Sequence, residues 1–394
     1  MTRAGHSHGL NSGLKGLHDI LKGFALVILL AAVIITQTGC GSETAEPVTG
    51  ENYLLDTVCT ISIYGMKDEN GEVQPASALQ EEADAAIDEA FALCASLDKK
   101  LSRTAEASEI SRINNAGGEW TDVSADTLRL LKEGIRYSEL SGGEFDITIG
   151  GVTDLWDFHA DPEDARVPEA DAIAEAVRHV DYRNIEIRET AEDTAGSGKT
   201  DEKVGSGNIA AQDGAAGQVR LTDPDARIDL GGIAKGYIGD RMAESLEAAG
   251  VTSGIVNLGG NVICIGGKTS DEDFTIGVEA PFSDRSEIVG KIRARDMTLV
   301  TSGVYERKIE VDGKLYHHIL STETGYSAET DLDAVTLTAS KGHSMDIDAL
   351  STICLIKGCE DAKKLIEETD GVEAVFILND GSIEQTSGME FEKD

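Results

Sequence analysis

Four short segments combine residue types that could do chemistry. The first is Asp229-Leu-Gly-Gly-Ile-Ala-Lys-Gly236, read as a strand end, a two-glycine turn and a helix start. Glycines let backbone N–H groups come close to a ligand, and a helix N-terminus favours an anion. Lys235, in the first helical turn, could pair with a phosphate, and Asp229 could accept hydrogen bonds from a ring or sugar. The pattern is neither a Walker loop nor a G-x-G-x-x-G fingerprint, so the ordinary nucleotide folds are not supported. Taken alone, it is also a plain strand–helix turn. The second segment, Asp348-Ala-Leu-Ser-Thr352, puts a carboxylate and a hydroxyl four residues apart on one helix face. Two oxygen donors suit a hard cation such as Mg²⁺ and make a poor zinc site. An Asp near a helix N-terminus also has an ordinary dipole reason to be there. The third is Tyr316-His317-His318-Ile319-Leu320, where a His at a strand end could be a general base, a metal ligand or a structural residue. The fourth is Gly142-Gly143-Glu144-Phe145-Asp146-Ile147-Thr148, followed by Leu155-Trp156-Asp157-Phe158. It reads either as a wall for a planar ring or as a turn with buried aromatics. Asn257-Leu-Gly-Gly-Asn261 is one more loop where backbone could meet a ligand.

These segments need a scaffold. Val58 to Tyr64 alternates as a strand, and Ala83, Ile87, Ala90, Phe91, Cys94, Leu97 and Leu101 recur at helical spacing. Ser124 can cap a second helix that stops at Ser141-Gly142-Gly143, and Pro168 can open a third. Arg227–Leu230 reads as a strand and Ile233–Ala249 as a helix. Asp312-Gly313 signals a hairpin between 308–311 and 315–320. Residues 346–356 read as a helix, with Ser344 as its cap. Hairpins mixed with helices, without steady βαβ alternation, predict an α+β fold of antiparallel sheets with packed helices. Thr190 to Gln218 is rich in small and acidic residues and poor in apolar ones, which predicts a disordered surface insertion.

Composition bounds the function. The chain has 394 residues and a formal net charge of -38, which argues against nucleic-acid binding. Arg3, Lys15 and Lys22 precede an apolar run from Phe24 to Ile35, too short for a comfortable transmembrane span but suited to an export signal. The run leads to Thr38-Gly39-Cys40, which looks like a lipobox with Gln37 in place of the usual aliphatic residue. The expectation is a signal peptide over 1–40, lipidation at Cys40, a polar tether over 41–52 and one catalytic domain over 53–394. An uncleaved N-terminal anchor is the other reading. Either leaves the domain outside the cytoplasm, held to a membrane. The remaining five cysteines suggest no zinc site or disulfide framework and read as buried small hydrophobes.

Taken in order, these motifs resemble the ApbE-type FAD:protein FMN transferase family, from about Asp56 to Gly358. The set is Asp56-Thr57-Val58, Ser108-Glu-Ile-Ser-Arg-Ile-Asn114, the Gly-Gly-x-Phe-Asp-x-Thr run, Asp-Leu-Gly-Gly-Ile-Ala-Lys-Gly-Tyr, Asn-Leu-Gly-Gly-Asn, Thr301-Ser-Gly303, the His-Ile run and Asp-Ala-Leu-Ser-Thr. The resemblance implies Mg²⁺-dependent transfer of FMN from FAD to a Ser or Thr hydroxyl of an acceptor, with AMP released. It implies a metal held by Gly232, Asp348 and Thr352, and His318 as base. It implies FAD contacts at Leu55, Ser102, Glu144, Phe145, Asp146, Asp229, Lys235 and Ile319. The implied partner is a flavoprotein subunit of an exported electron-transfer system. Leu55 stands where the family often has Met, and Ser321-Thr322 replaces the usual Asp-Pro. An Mg²⁺-dependent FAD pyrophosphatase and a non-catalytic flavin-binding lipoprotein are the rival readings.

Overall fold

A computed structural model describes residues 46–394 except 159, 190–214, 269–270 and 284–286. Cys40, the signal segment, residues 41–45 and most of the expected insertion lie outside the described residues.

The alternating run at Val58 becomes the strand Thr57–Lys67, with Cys59, Ile61 and Ile63 buried on one face. It is flanked by Val48–Leu54 and Val251–Leu258, both antiparallel. The sheet continues through Asn261–Ile265, Met297–Gly303, Leu332–Ser340, Glu373–Leu378 and Ile383–Gln385, and Val73–Pro75 adds a ninth strand. One face carries the helices Gln80–Leu101, Ala234–Ala248 and Ser344–Lys357 over the main core. The helical stripe read from Ala83 to Leu101 is the buried face of the first of these. Gly236 lets the second and third cross closely, since a Cβ there would lie 2.2 Å from the Ser344 carbonyl oxygen. The other sheet face packs on a three-stranded sheet of Phe274–Glu279, Ile288–Ala294 and Phe391–Lys393, around Phe274, Val278, Ile292 and Leu299. The fold is α+β, as expected.

The hairpin Lys308–Val311 and Lys314–His317 turns at Asp312 and Gly313, with φ of 52° and 77°. Two positive φ values are what a two-residue loop needs to match strand twist. All five described cysteines are buried and unpaired. Among the described residues, no helix is long and apolar enough to cross a membrane.

Four expectations need correction. The tether drawn to residue 52 runs into the strand Val48–Leu54, whose stability comes from backbone pairing with Thr57–Lys67 rather than from apolar side chains. The insertion drawn to Gln218 ends earlier: Ala216 bonds the Val123 carbonyl, and Gly217–Leu221 is the middle strand of a small sheet with Val219 and Leu221 buried. Arg227–Leu230 is not a strand. Only Arg227 bridges to Ile149, and beyond it the Asn114 amide brackets Ile228, donating to its carbonyl at 2.9 Å and accepting its N–H at 2.7 Å. A side chain takes the place of a neighbouring strand there. Ser344 does not cap its helix. The Asp240 carboxylate, from another helix, accepts the N–H groups of Ser344 and Met345 at 3.2 and 3.1 Å.

Candidate active site

Two adjoining chambers open between the sheet, the helix starts and the hairpin. The larger has a volume of about 980 Å³ and the smaller about 200 Å³. Arg103, Phe158, Asp229, Gly231, Lys235, Glu306 and Arg307 line both, and so form the wall they share.

Asp348 and Thr352 come up from the helix Ser344–Lys357 into the smaller chamber. Asp348 is 3% exposed, and its Oδ2 accepts the Gly236 N–H at 2.8 Å. Burial holds its carboxyl above the usual range, while Lys235 and the Gly236 N–H pull it back down. Asn261 also faces it and favours the carboxylate, though the buried Asn261 amide meets no partner at full hydrogen-bond geometry. The glycine turn closes over this pair: a Cβ at Gly232 would lie 2.9 Å from the Phe145 ring and 3.4 Å from Thr352 Oγ1. A buried carboxylate, a hydroxyl, an under-satisfied amide and close backbone form an oxygen-donor set that fits a hard divalent cation. A second group, His179, Asp223 and Asp225, has ligand atoms within 4.8 Å of one another, but none of the three lines either chamber.

Lys235 stands between the chambers, and no described carboxylate pairs with it within 4 Å. Asp229 is less free than its motif suggested. Its Oδ2 is 3.0 Å from Arg103 Nε, and its Oδ1 accepts the Gly231 N–H at 2.8 Å. It therefore fixes the turn and Arg103 as well as lining the cleft.

The His pair splits. His317 is buried, lines neither chamber, and has an Nδ1 without a partner. Burial lowers it to about 4. His318 lines the smaller chamber and is half-buried. Its Nδ1 is 3.3 Å from the Arg307 carbonyl oxygen. A carbonyl only accepts, so this contact assigns the proton to Nδ1 and leaves the Nε2 lone pair free. Crowding by protein atoms first, then the Arg307 and Lys235 charges, push His318 down to about 3. The side chain keeps some solvent access along the cleft, and with or without it the ring is neutral at pH 7.

The other expected contacts divide between the chambers. Glu144, Phe145, Asp146 and Ile319 line the smaller; Leu55 and Ser102 line the larger. Glu144 is paired with Lys357. Asp146 is 6% exposed, and its carboxylate accepts the Thr148 N–H and hydroxyl and the Tyr182 N–H at 2.6–2.8 Å. Its bonds are consumed internally, so it holds the Phe145 wall in place. Leu55 and Asp56 turn the chain with φ of 54° and 57°, a left-handed pair at the mouth of the larger chamber. Ser102 ends its helix by accepting the N–H groups of Thr104 and Ala105. Trp156 stacks on Phe158 at 5.5 Å and donates its N–H to the Gly325 carbonyl, backing the aromatic wall.

Sequence reasoning missed Arg103, Glu306 and Arg307. Glu306 is exposed on the cleft wall, where crowding by protein atoms raises its carboxyl and Lys235 and Arg307 pull it back down. The available signal was position: Arg103 follows Ser102, and Glu306-Arg307 follow Thr301-Ser-Gly303 within four residues.

Residues 55–376 match the sequence profile described as the ApbE family. The chain is 30% identical over 371 residues to an FAD:protein FMN transferase of Treponema pallidum (strain Nichols), covering 92% of this chain and 93% of that one. It is 29% identical to an FAD:protein FMN transferase of Klebsiella pneumoniae (strain 342), covering 70% and 77%. The crystal structure of the ApbE protein from Thermotoga maritima aligns with a TM-score of 0.71 at 28% identity, over 87% of this chain and 97% of that one. The apo form of the Pseudomonas stutzeri flavinyl transferase ApbE aligns with a TM-score of 0.66 at 25% identity, over 87% and 95%. A profile match that begins at the Leu55 turn and ends beyond the Asp348 helix spans every residue of both chambers, and on it this chain belongs to the ApbE family.

Proposed function

We propose that this enzyme transfers the FMN half of FAD to a Ser or Thr hydroxyl of an acceptor protein and releases AMP. The observation that carries the reading is the shared wall. Lys235, which no described carboxylate pairs within 4 Å, stands between a chamber holding Asp348, Thr352 and His318 and a second chamber large enough for a nucleotide portion of FAD.

Asp348, Thr352 and the Gly232 backbone are the groups that would hold Mg²⁺. Bound there, Mg²⁺ would supply charge neutralisation at the pyrophosphate. Lys235 and the start of its helix hold the phosphates from the other side. Nε2 of neutral His318 takes the proton of the acceptor hydroxyl. The hydroxyl oxygen bonds to the FMN phosphorus, the bridging P–O bond breaks, and AMP leaves with the electron pair. The aromatic wall and Phe145 exclude water from the reacting atoms. Because Asp146 spends its carboxylate on the loop, its part is to keep Phe145 in position.

The chain acts outside the cytoplasm, tethered through lipid on Cys40, on a flavoprotein subunit of an exported electron-transfer system. The export-like segment and the lipobox-like Thr38-Gly39-Cys40 support that placement. Metabolic labelling with a fatty acid is expected to mark the protein and to fail with Cys40→Ser; equal labelling of the two would rule out the lipid anchor.

Intact-mass spectrometry tests the activity. With FAD and Mg²⁺, an acceptor domain should gain the mass of FMN while AMP appears. Free FMN and AMP with an unmodified acceptor would instead mark a pyrophosphatase, and FAD left intact would mark a binding protein.

A further inference from the structure

The hairpin that ends at His318 also determines what stands opposite it. Lys308 pairs with His317, so the next residues outward, Arg307 and His318, face each other across the ribbon. The His318 N–H donates to the Arg307 carbonyl at 3.1 Å. Residues directly opposite in an antiparallel ribbon project from the same face. Both line the smaller chamber, and Arg307 reaches the larger one as well.

Acidic residues outnumber basic ones in this chain by 72 to 34, and Glu306, Asp229 and Asp348 line the same chamber as Arg307. Even so, the Arg307 guanidinium makes no ion pair within 4 Å and no side-chain hydrogen bond with a described residue. Arg103, in the same wall, is paired with both Asp154 and Asp229. An arginine that is exposed on the chamber wall and that no described carboxylate pairs is open to an anion that arrives from outside, and its fork of donors matches two phosphate oxygens.

We propose that Arg307 is a catalytic residue that grips the nonbridging oxygens of the FMN phosphoryl group as it passes to the acceptor. This rests on the flavin-transfer reading above. In the exchange, the acceptor oxygen bonds to phosphorus, its proton goes to His318 Nε2, and the bridging oxygen leaves with AMP. Charge on the nonbridging oxygens must be met throughout. Sharing one ribbon face with His318 puts Arg307 at the phosphorus under attack rather than at the phosphate that leaves. Lys235 is a point charge at a helix start and does not replace a two-pronged grip.

The test uses the full protein with Arg307→Gln and Arg307→Lys. FMN transfer is followed in single turnovers with FAD, Mg²⁺ and acceptor, and FAD affinity is followed by flavin fluorescence. Arg307→Gln should slow transfer by about 10²–10³-fold, the cost of losing one preorganised donor. FAD affinity should fall by less than about fivefold, because the grip tightens in the transition state. Added methylguanidinium should restore part of the rate, and Arg307→Lys should restore less than the free guanidinium does. Three results would each overturn the proposal: an unchanged rate, a loss explained wholly by weaker FAD binding, or no rescue by methylguanidinium. If the unaltered enzyme makes free FMN and AMP without labelling the acceptor, the transferase reading fails by itself. Arg307 is then scored on that hydrolysis, with the same expectations, since water attacks the same phosphorus.

Discussion

The two chambers are built in different ways. In the smaller, at about 200 Å³, several polar groups are already held by protein partners: Asp348 on the Gly236 N–H, His318 on the Arg307 carbonyl, Asp146 on three donors. The larger, at about 980 Å³, is walled by the outer sheet face through Thr60, Ser62, Ile255 and Val262, and by the Gly259-Gly260 turn. Few of its groups are fixed by charge. The contrast separates two tasks. Preorganised polar groups stabilise a transition state, while a roomy wall of mixed polarity sets affinity and shape. Substitutions in the first chamber should therefore change rate, and those in the second should change binding.

Asp348→Asn should break this division most severely. The residue keeps its size but loses its charge, and the turnover dependent on Mg²⁺ should drop by about 10³-fold or more, the scale of several kcal/mol of Lewis-acid stabilisation. Titrating Mg²⁺ against initial rate checks it; an unchanged metal dependence would move the metal elsewhere. His318→Ala follows, with a loss of about 10²–10⁴-fold in transfer and near-normal FAD binding. The same residue predicts an unusual pH profile. Because the ring is held down to about 3, kcat/KM at saturating Mg²⁺ should show no acid limb near pH 6.5. A limb there would mean that His318 is exposed and ordinary. Thr60→Leu sharpens the other side of the comparison. A larger side chain in the roomy chamber should weaken FAD binding by about tenfold while leaving the saturated rate within about threefold.

The smallest effect concerns the frame rather than the site. Asp240 is pushed up to about 6 by burial, although its bonds to Met345 and Ser344 pull it down. Its folded pKa lies above its unfolded one, so the native state binds the extra proton between about pH 4 and 6. Stability should then fall as pH rises through that window, on the order of 3 kcal/mol. Asp240→Asn should flatten this slope in thermal melts; an identical slope would remove Asp240 from the account.

Legibility in the sequence follows the same division. Asp348 and Thr352 could be read because i and i+4 share a helix face, and the glycine turn could be read because its composition demands close backbone approach. The larger chamber left no such mark, since Thr60, Ser62, Ile255 and Val262 are ordinary strand residues until the second sheet, through Thr275 to Glu279, faces them across an open space. Arg307 was invisible for another reason: what distinguishes it is an ion pair it does not make with any described residue. The misread stretches share one cause. Ile228 looked like a strand residue, but its hydrogen bonds go to the Asn114 amide, 114 positions away. Ser344 looked like a cap, but Asp240 does that work from a different helix. Each depends on a tertiary partner that local pattern cannot name.

A crystal structure of His318→Ala with FAD, using Mn²⁺ as an anomalous stand-in for Mg²⁺, tests the central claim most directly. The account predicts one anomalous peak against Asp348, Thr352 and the Gly232 backbone, with the pyrophosphate at the wall shared by the two chambers, beside Lys235. A peak at His179, Asp223 and Asp225, or a pyrophosphate away from Lys235, would contradict it.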